Sequence, residues 1–167
     1  MSTLPALAAT SPVDEVEEST RGMFLTMTVA DQLFGIPVLA VQDILSTQRI
    51  TRVPLAPPEV LGSLNLRGRI VTAIDVRTRL GIPAPTEKPD EEENMSVVVD
   101  HDGELYSLVI DKVGEVMSLP ETDYEQKPAT LDPRWQEVSS GIYRLKDRLL
   151  VVLDVASLLR LDKTRAL

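Results

Sequence analysis

The most distinctive chemistry in this chain lies in Asn65, Arg67 and Gly68, within the run Asn-Leu-Arg-Gly that precedes an apolar stretch. Side chains alternate between the two faces of a β-strand. With Leu66 facing the core, its neighbours Asn65 and Arg67 are expected on the opposite face. An arginine in this position favours a binding surface, because its guanidinium can hold a carboxylate through two parallel hydrogen bonds, which lysine cannot do.

Asp43 is the natural partner for Arg67 in the sequence. It alternates with Val41 on a predicted neighbouring strand, in the run Val-Gln-Asp-Ile. Spacing alone does not show that the two side chains meet. A solvated arginine at a hairpin edge therefore stays open as the alternative to an arginine that fixes a contact surface.

The remaining polar residues do not form a catalytic pattern. There is no phosphate-binding glycine loop, no serine elbow, no HExxH run and no cysteine. The one histidine, His101, lies between Asp100 and Asp102 in a run typical of a tight hairpin turn. Asp75 and Asp154 occupy equivalent places in a repeat, which favours a structural role such as accepting backbone N–H groups at a strand end. We therefore predict no enzyme activity, no catalytic residues, no metal and no cofactor.

The sequence segments that position these residues form an internal repeat. The stretch 62–80 returns at 141–159 with an offset of 79, and an upstream motif at 32–44 returns at 104–116 with an offset of 72. The loop between the two motifs must therefore be seven residues longer in the second half. Two related, mostly β modules are predicted, and each is small enough that the two should pack together or exchange strands. The copies share apolar and turn residues but differ in the distinctive run, where Asn65, Arg67 and Gly68 become Arg144, Lys146 and Asp147.

About ten short strands separated by turn residues predict a mainly β fold of two small barrels with short helices, rather than a parallel sheet with crossover helices. Proline-rich and acidic segments mark the ends and the middle of the chain. The predicted organisation is a flexible acidic tail at 1–21, a folded domain at 22–161 and a C-terminal tail at 162–167. Within the domain we expect a first barrel at about 22–82, an acidic linker at about 83–94 and a second barrel at about 95–161.

Composition narrows the class of protein. The 167 residues carry a net charge of −9, of which residues 1–21 hold −3 and residues 87–93 hold −4. A nucleic-acid-binding surface would need a basic patch, so no nucleic acid is expected as a partner. No apolar run is long enough to span a membrane and no secretory signal is present, so membrane insertion is not expected. The absence of cysteine fits a reducing cytoplasm.

Several motifs in the same order resemble the chemotaxis coupling protein family CheW. They are Phe34-Gly35-Ile36-Pro37-Val38, Val41-Gln42-Asp43-Ile44, Asn65-Leu66-Arg67-Gly68, Ile70–Ile74 and Asp75-Val76-Arg77, and the resemblance covers about residues 22–161. It implies a pair of intertwined five-stranded β-barrels. It also implies a non-catalytic adaptor that joins the helical hairpin at the cytoplasmic tip of chemoreceptors to the regulatory domain of a CheA-type histidine kinase, in membrane-associated arrays with other CheW copies.

The resemblance also implies a site near the junction of the two barrels. Val41 matches a receptor-contact position, with Val38 beside it, and Asp43 and Arg67 match an acid–arginine pair, with Asp where the family often has Glu. The predicted receptor- or kinase-binding residues are Val38, Val41, Asp43, Gly62, Asn65 and Arg67.

Three alternatives stay open at this point. The chain could be a sensor with a small-molecule pocket between the barrels, a regulatory piece of a kinase, or a coupling protein of a chemotaxis-like pathway with an output other than swimming. Trp135, the one tryptophan, could be a buried anchor of the longer second loop or an interface residue.

Overall fold

The computed structural model describes residues 22–46, 49–83 and 95–160. Most of these residues lie in strands. The strands are β1 Met23–Val29, β2 Gln32–Pro37, β3 Val41–Ser46, β4 Val60–Leu66, β5 Arg69–Asp75, β6 Met95–His101, β7 Glu104–Ile110, β8 Lys112–Ser118, β9 Tyr124–Glu125, β10 Ser139–Arg144 and β11 Leu149–Leu153. The α-helices are short: α1 Val76–Leu80, α2 Pro133–Val138 and α3 Val155–Leu158; two 3₁₀ turns lie at Val38–Ala40 and Glu121–Asp123. The predicted tails, and most of the linker, fall outside the described residues.

The strands form two sheets. Sheet I has the order β8-β1-β2-β11-β10-β9 and sheet II the order β3-β6-β7-β5-β4. Most pairs are antiparallel, whereas β11 runs parallel to β2 and β5 runs parallel to β7. Five strands of each sheet correspond to the five predicted for each barrel, and the sixth strand of sheet I, β9, is only two residues long. The mainly β fold of two small sheets with short helices is confirmed.

Each sheet takes strands from both halves of the sequence. Sheet I joins the β1–β2 hairpin of the first half to β8, β10 and β11 of the second, and sheet II joins β6–β7 of the second half to β3, β4 and β5 of the first. If each strand of sheet II is replaced by its equivalent in the repeat, the strand order of sheet I results: β3 becomes β8, β6 becomes β1 and β7 becomes β2. The two halves have thus exchanged their first hairpins, so the predicted intertwining is confirmed. The boundaries at about 82 and 95 follow the repeated sequence rather than the sheets, and they stay predictions.

The seven-residue difference between the halves has a visible structure. Thirteen residues separate β3 from β4, whereas twenty separate β8 from β10, and the longer connection holds the second 3₁₀ turn, β9 and α2. In both halves a returning segment lies along the following strand: Thr51 bridges to Ser63 of β4, and β9 pairs with β10. Trp135 of α2 is half-buried, with its ring 5.4 Å from that of Phe34 and its Nε1 donating to the Leu80 carbonyl at 3.1 Å. Trp135 therefore anchors the longer loop by packing.

Three apolar clusters hold the fold together. The largest, here called the junction cluster, contains buried residues from both sheets and all three helices, among them Met27, Phe34, Ile74 and Leu108. A second cluster, around Leu150, contains residues of sheet I only. A third, which includes Val71 and Val98, belongs to sheet II. Because the junction cluster takes buried residues from both sheets, the two sheets share one core. Neither sheet is therefore expected to be stable alone.

The ends of the repeated strands carry the two equivalent aspartates. Asp75 begins α1 as predicted, since its Oδ1 accepts a hydrogen bond from the Arg77 backbone N–H at 3.1 Å. Asp154 differs, because its carboxylate accepts from the hydroxyl of Ser157 at 2.9 Å and not from a backbone N–H. Both carboxylates therefore act in local structure at the start of a helix.

Candidate functional site

Asp43 and Arg67 meet at the edges of sheet II. Arg67 Nη2 lies 2.9 Å from Asp43 Oδ2, so the predicted partnership is present. β3 and β4 stand at opposite ends of the strand order, and the contact therefore bridges the two edges of one curled sheet. The Arg67 side chain is 78% exposed and that of Asp43 only 24%. The pair thus presents a positive group to solvent above an enclosed carboxylate.

Asn65 and Arg67 are both exposed, whereas Leu66 between them is half-buried. Arg67 lies in the β4–β5 turn rather than in the alternating part of the strand, with φ of 52°, and Gly68 follows with φ of 84°. Two successive left-handed residues define a two-residue hairpin turn, in which glycine is favoured. Asn65 Oδ1 accepts a hydrogen bond from the Gly68 N–H at 2.9 Å, so Asn65 holds the turn closed. The orientation of Arg67 follows from this turn.

Asp43 is held by its own strand. Its Oδ1 accepts from the Ile44 N–H at 2.9 Å. Its Oδ2 is enclosed and makes no aligned hydrogen bond among the described residues, which leaves the ion pair with Arg67 as its described contact. The β3–β6 ladder shifts register between Val41 and Asp43, and such a bulge re-aims the side chains beside it. Removal of Arg67 would therefore leave an enclosed charge without a partner.

Val38 and Val41 come shortly before Asp43 in the chain. Val41 lies two residues before it on β3, is half-buried and packs against the junction cluster. Val38 is half-buried in the 3₁₀ turn that leads into β3, and its neighbour Leu39 is 50% exposed. An apolar segment that reaches from the core to the exposed Leu39 therefore precedes Asp43.

Gly62 is set apart from the other predicted residues. It is buried within β4, and a Cβ added there would lie 2.1 Å from the Thr51 carbonyl oxygen. Its φ of 150° is also unfavourable for other residues. Glycine at this position lets the returning segment lie against β4, so Gly62 has a structural role. Its predicted contact with a partner stays a prediction.

Sequence reasoning missed one exposed apolar residue close to Asn65. Ile70 pairs with Asn65 across the β4–β5 ladder and is 78% exposed. An apolar run such as Ile70 to Ile74 is typical of a buried strand, whereas burial begins at Val71. The signal that could have found it is its position close to a hairpin turn, where the first two residues of β5 extend beyond the core.

The polar groups of the site suit recognition. Within the described residues, no group of three or more metal-ligating side chains is present. His101 lies at a hairpin turn, with its Nε2 3.4 Å from Asp102 Oδ2. Within the same part of the chain, no helix is long and apolar enough to cross a membrane. The fold and the site together suit a binding module, with two interleaved β-sheets and an arginine–carboxylate pair at the edges of sheet II.

Comparison with known proteins identifies the family. The CheW-like domain matches residues 23–163. The chemotaxis protein CheW of Helicobacter pylori is 31% identical over 139 residues, covering 83% of this chain and 82% of the relative. That of Klebsiella aerogenes is 30% identical over 155 residues, covering 92% of this chain and 91% of the relative.

A solved structure agrees in fold. The scaffolding protein TtCheW from Thermoanaerobacter tengcongensis matches with a TM-score of 0.74 at 24% identity, over 84% of this chain and 94% of its own. The chain belongs to the CheW family, a family of chemotaxis scaffold or adaptor proteins. The resemblance read from the sequence motifs is confirmed.

Proposed function

We propose that this protein is a non-catalytic adaptor that couples chemoreceptors to a CheA-type histidine kinase. The observation that carries the proposal is the Asp43–Arg67 pair beside the apolar border of the two sheets, in a chain of the CheW family. The adaptor acts on the cytoplasmic side of the membrane, where receptor tips and kinase meet, and other copies of the chain can join the same array.

The receptor contact is assigned to the border of the two sheets. A helical hairpin presents an apolar stripe, and such a helix binds best in an apolar groove flanked by a few polar groups. Half-buried Val38 and Val41, together with exposed Leu39, supply the apolar part. Arg67 supplies an exposed cation for an acidic or amide group of the receptor. In this arrangement the valines supply most of the affinity for the receptor helix, and Arg67 determines the position of that helix along the groove.

Asn65 and Asp43 act here as positioning residues. Asn65 fixes the turn that carries Arg67, and Asp43 limits the positions that the guanidinium can take. A preformed side chain loses less entropy on binding than a free one. Asp is one bond shorter than Glu, and the 2.9 Å contact supports a direct pair in spite of that difference.

The kinase is assigned to a different face, because the second half offers different groups. Where the first half has Asn65 and Arg67, the second has Arg144 and Lys146. Arg144 Nε is 2.9 Å from Glu125 Oε2, whereas Lys146 is exposed. Two halves that share a fold but carry different surface groups suit an adaptor that binds two different partners.

Co-sedimentation tests this function. The full chain is mixed with receptor-containing membranes and the CheA-type kinase of the same genome, and the pellet is assayed for all three proteins. We expect the kinase to pellet only when both the receptor and this chain are present. Failure to form a ternary complex with any receptor of that genome would refute the adaptor function.

A further inference from the structure

An aromatic cleft lies away from the proposed receptor site, against sheet I. Its volume is about 420 Å³, and it is lined by Gly22, Phe24, Glu121, Tyr124 and Tyr143. Small-molecule sites commonly fall in the range of about 300–1,000 Å³. The cleft thus has room for a small ligand, and three of its five lining residues are aromatic.

The rings are held in place by one another and by the strands. The centroids of Phe24 and Tyr143 are 5.4 Å apart at an interplanar angle of 59°, and those of Tyr124 and Tyr143 are 5.5 Å apart at 66°. The Tyr124 hydroxyl donates to the Ser140 carbonyl, and its ring covers Gly141, where an added Cβ would come within 2.3 Å. The aromatic surfaces are therefore preorganised.

The repeat supplies an internal comparison. Tyr143 corresponds to Leu64 in the first half, and Phe24 corresponds to Ser96. The Tyr124 ring lies over Gly141, whereas at the equivalent Gly62 the backbone carbonyl of Thr51 takes that place. The same frame thus folds in sheet II without a single aromatic residue at these places. Phe24 and Tyr143 pack in the sheet I cluster and Tyr124 is exposed, so the aromatic lining of the cleft is particular to sheet I.

The electrostatic surroundings favour a cation. Glu121 lines the cleft and Asp123 lies on the same 3₁₀ turn. Burial, followed by the negative charge of neighbouring groups that include Glu121 and Asp123, raises the pKa of Tyr143. Among the described residues, the bases nearest in sequence to Tyr143 and Tyr124 are engaged elsewhere, since Arg144 pairs with Glu125 and the Lys127 Nζ donates to the Gln136 carbonyl.

We propose that this cleft binds a small organic cation that carries a quaternary ammonium group, held against the exposed ring of Tyr124 and the accessible parts of Phe24 and Tyr143, and neutralised by Glu121. Aromatic faces attract such cations through their negative ring quadrupole. A primary ammonium or a guanidinium needs several hydrogen-bond acceptors, whereas Glu121 is the one carboxylate among the residues that line the cleft. A quaternary ammonium has no N–H and needs no acceptor.

Titration with tetramethylammonium chloride, followed by NMR of the tyrosine ring protons in the full chain, tests this site. Sodium chloride of equal ionic strength is the reference. We expect saturable shifts at Tyr124 and Tyr143. Binding should weaken by about five-fold in Glu121→Gln and be lost in Tyr124→Leu. Glu137→Gln, which removes an exposed acid on α2 outside the cleft, should bind as the unaltered protein does.

Four outcomes decide the proposal. Saturable binding that is weakened by Glu121→Gln but not by Glu137→Gln supports it. Shifts that do not saturate, or that are equal in the two glutamine variants, overturn it. Stronger binding of N-acetyl-arginine methylamide than of tetramethylammonium also overturns it, because the cleft would then suit a partner's arginine side chain. Because Glu121→Gln is an exposed substitution, its result does not depend on whether Tyr124→Leu folds.

Discussion

At the scale of single residues, the Asp43–Arg67 pair matters for geometry more than for stability. An exposed ion pair contributes only about 0.2–1 kcal/mol, and Arg67 is 78% exposed. What the pair supplies is a fixed position: a turn at one edge of sheet II is tied to β3 at the other edge. The site is therefore best tested by variants that change the position of Arg67 without disturbing the core.

Asn65 offers such a variant. Asn65→Ala removes the acceptor of the Gly68 N–H and should reduce the free energy of unfolding by about 0.5–1.5 kcal/mol. Asn65→Asp keeps an acceptor and should retain most of the stability, because Asp100 makes the equivalent bond to the Gly103 N–H at 3.1 Å in the β6–β7 turn. Urea unfolding compares the three proteins. Equal stability of the Ala variant and the unaltered protein would show that the bond does not hold the turn.

The sequence was sufficient to select Asp43 and Arg67, because an unusual arginine and an alternating acid stood on two short strands. It did not show that Arg67 is a left-handed turn residue, to which strand alternation does not apply. It also missed the exposure of Ile70, because apolar composition does not show where a sheet extends beyond its core.

At the scale of elements, two equivalent glycines admit the returning segments. Gly62 makes room for Thr51 against β4, and Gly141 makes room for Tyr124 against β10. The repeated glycine at 62 and 141 is thus explained by a shared close approach. The segment at Thr51 also lies along β4, which leads into the turn that carries Arg67. Gly62 therefore helps to position that turn.

Substitution of Gly62 should be costly. Gly62→Ala places a Cβ 2.1 Å from the Thr51 carbonyl oxygen at a strained φ of 150°, so the segment must move away from β4. Gly68→Ala is the matched control, because its Cβ would meet no atom within 4 Å although φ is 84°. The control should lose about 1 kcal/mol of unfolding free energy, and Gly62→Ala clearly more. Equal losses in urea unfolding would contradict the role given to the close approach.

The strands and the repeat were visible in the sequence, whereas part of the strand pairing was not. A repeat gives the same apolar pattern whether each half folds on itself or the two exchange hairpins. The β5–β7 and β11–β2 pairs join residues of different halves, and nothing local in either strand marks its partner. The intertwining was predicted from the family resemblance, and from the small size of each half, rather than from alternation.

At the scale of the whole molecule, one ion pair lies where the chain passes from sheet II to sheet I. Asp111 links β7 of sheet II to β8 of sheet I, and it accepts from Arg77 Nε at 3.1 Å and from Nη2 at 2.7 Å. The Ala30 N–H in the β1–β2 turn also donates to Asp111, and Arg77 Nη1 donates to the Pro83 carbonyl at 2.8 Å. The relative placement of the two sheets therefore depends on a charged network as well as on the junction cluster.

This network predicts a pH dependence of stability. Burial disfavours the charged form of Asp111, but the bonds from Arg77 and the Ala30 N–H outweigh it and lower the pKa of the carboxyl below 3.8. A carboxyl with a lowered pKa stabilises the fold above its unfolded-state pKa, and this contribution is lost as the pH falls through its folded-state pKa. The contribution should thus be complete at neutral pH and disappear in the acid range below 3.8.

Asp111→Asn tests this dependence. The variant should lose about 1–3 kcal/mol at pH 7, and the difference from the unaltered protein should shrink as the pH falls below 3.8. Asp147→Asn, at an exposed turn, is the control and should differ little at any pH. Thermal unfolding at pH 7 and at pH 3 measures both. A loss in Asp111→Asn that is as large at pH 3 as at pH 7 would show that the charge is not responsible.

The central claim is that this chain passes the state of a receptor to a kinase through the Arg67 site. The most direct test is kinase autophosphorylation in receptor-containing membranes with the unaltered protein, Arg67→Ala and Arg160→Ala. Arg160 is an exposed cation that follows α3, outside both proposed contact faces. We predict that Arg67→Ala stays folded but loses most of the receptor-dependent activation, whereas Arg160→Ala retains receptor control. Full activation by folded Arg67→Ala would contradict the account and leave Arg67 as a solvated edge residue.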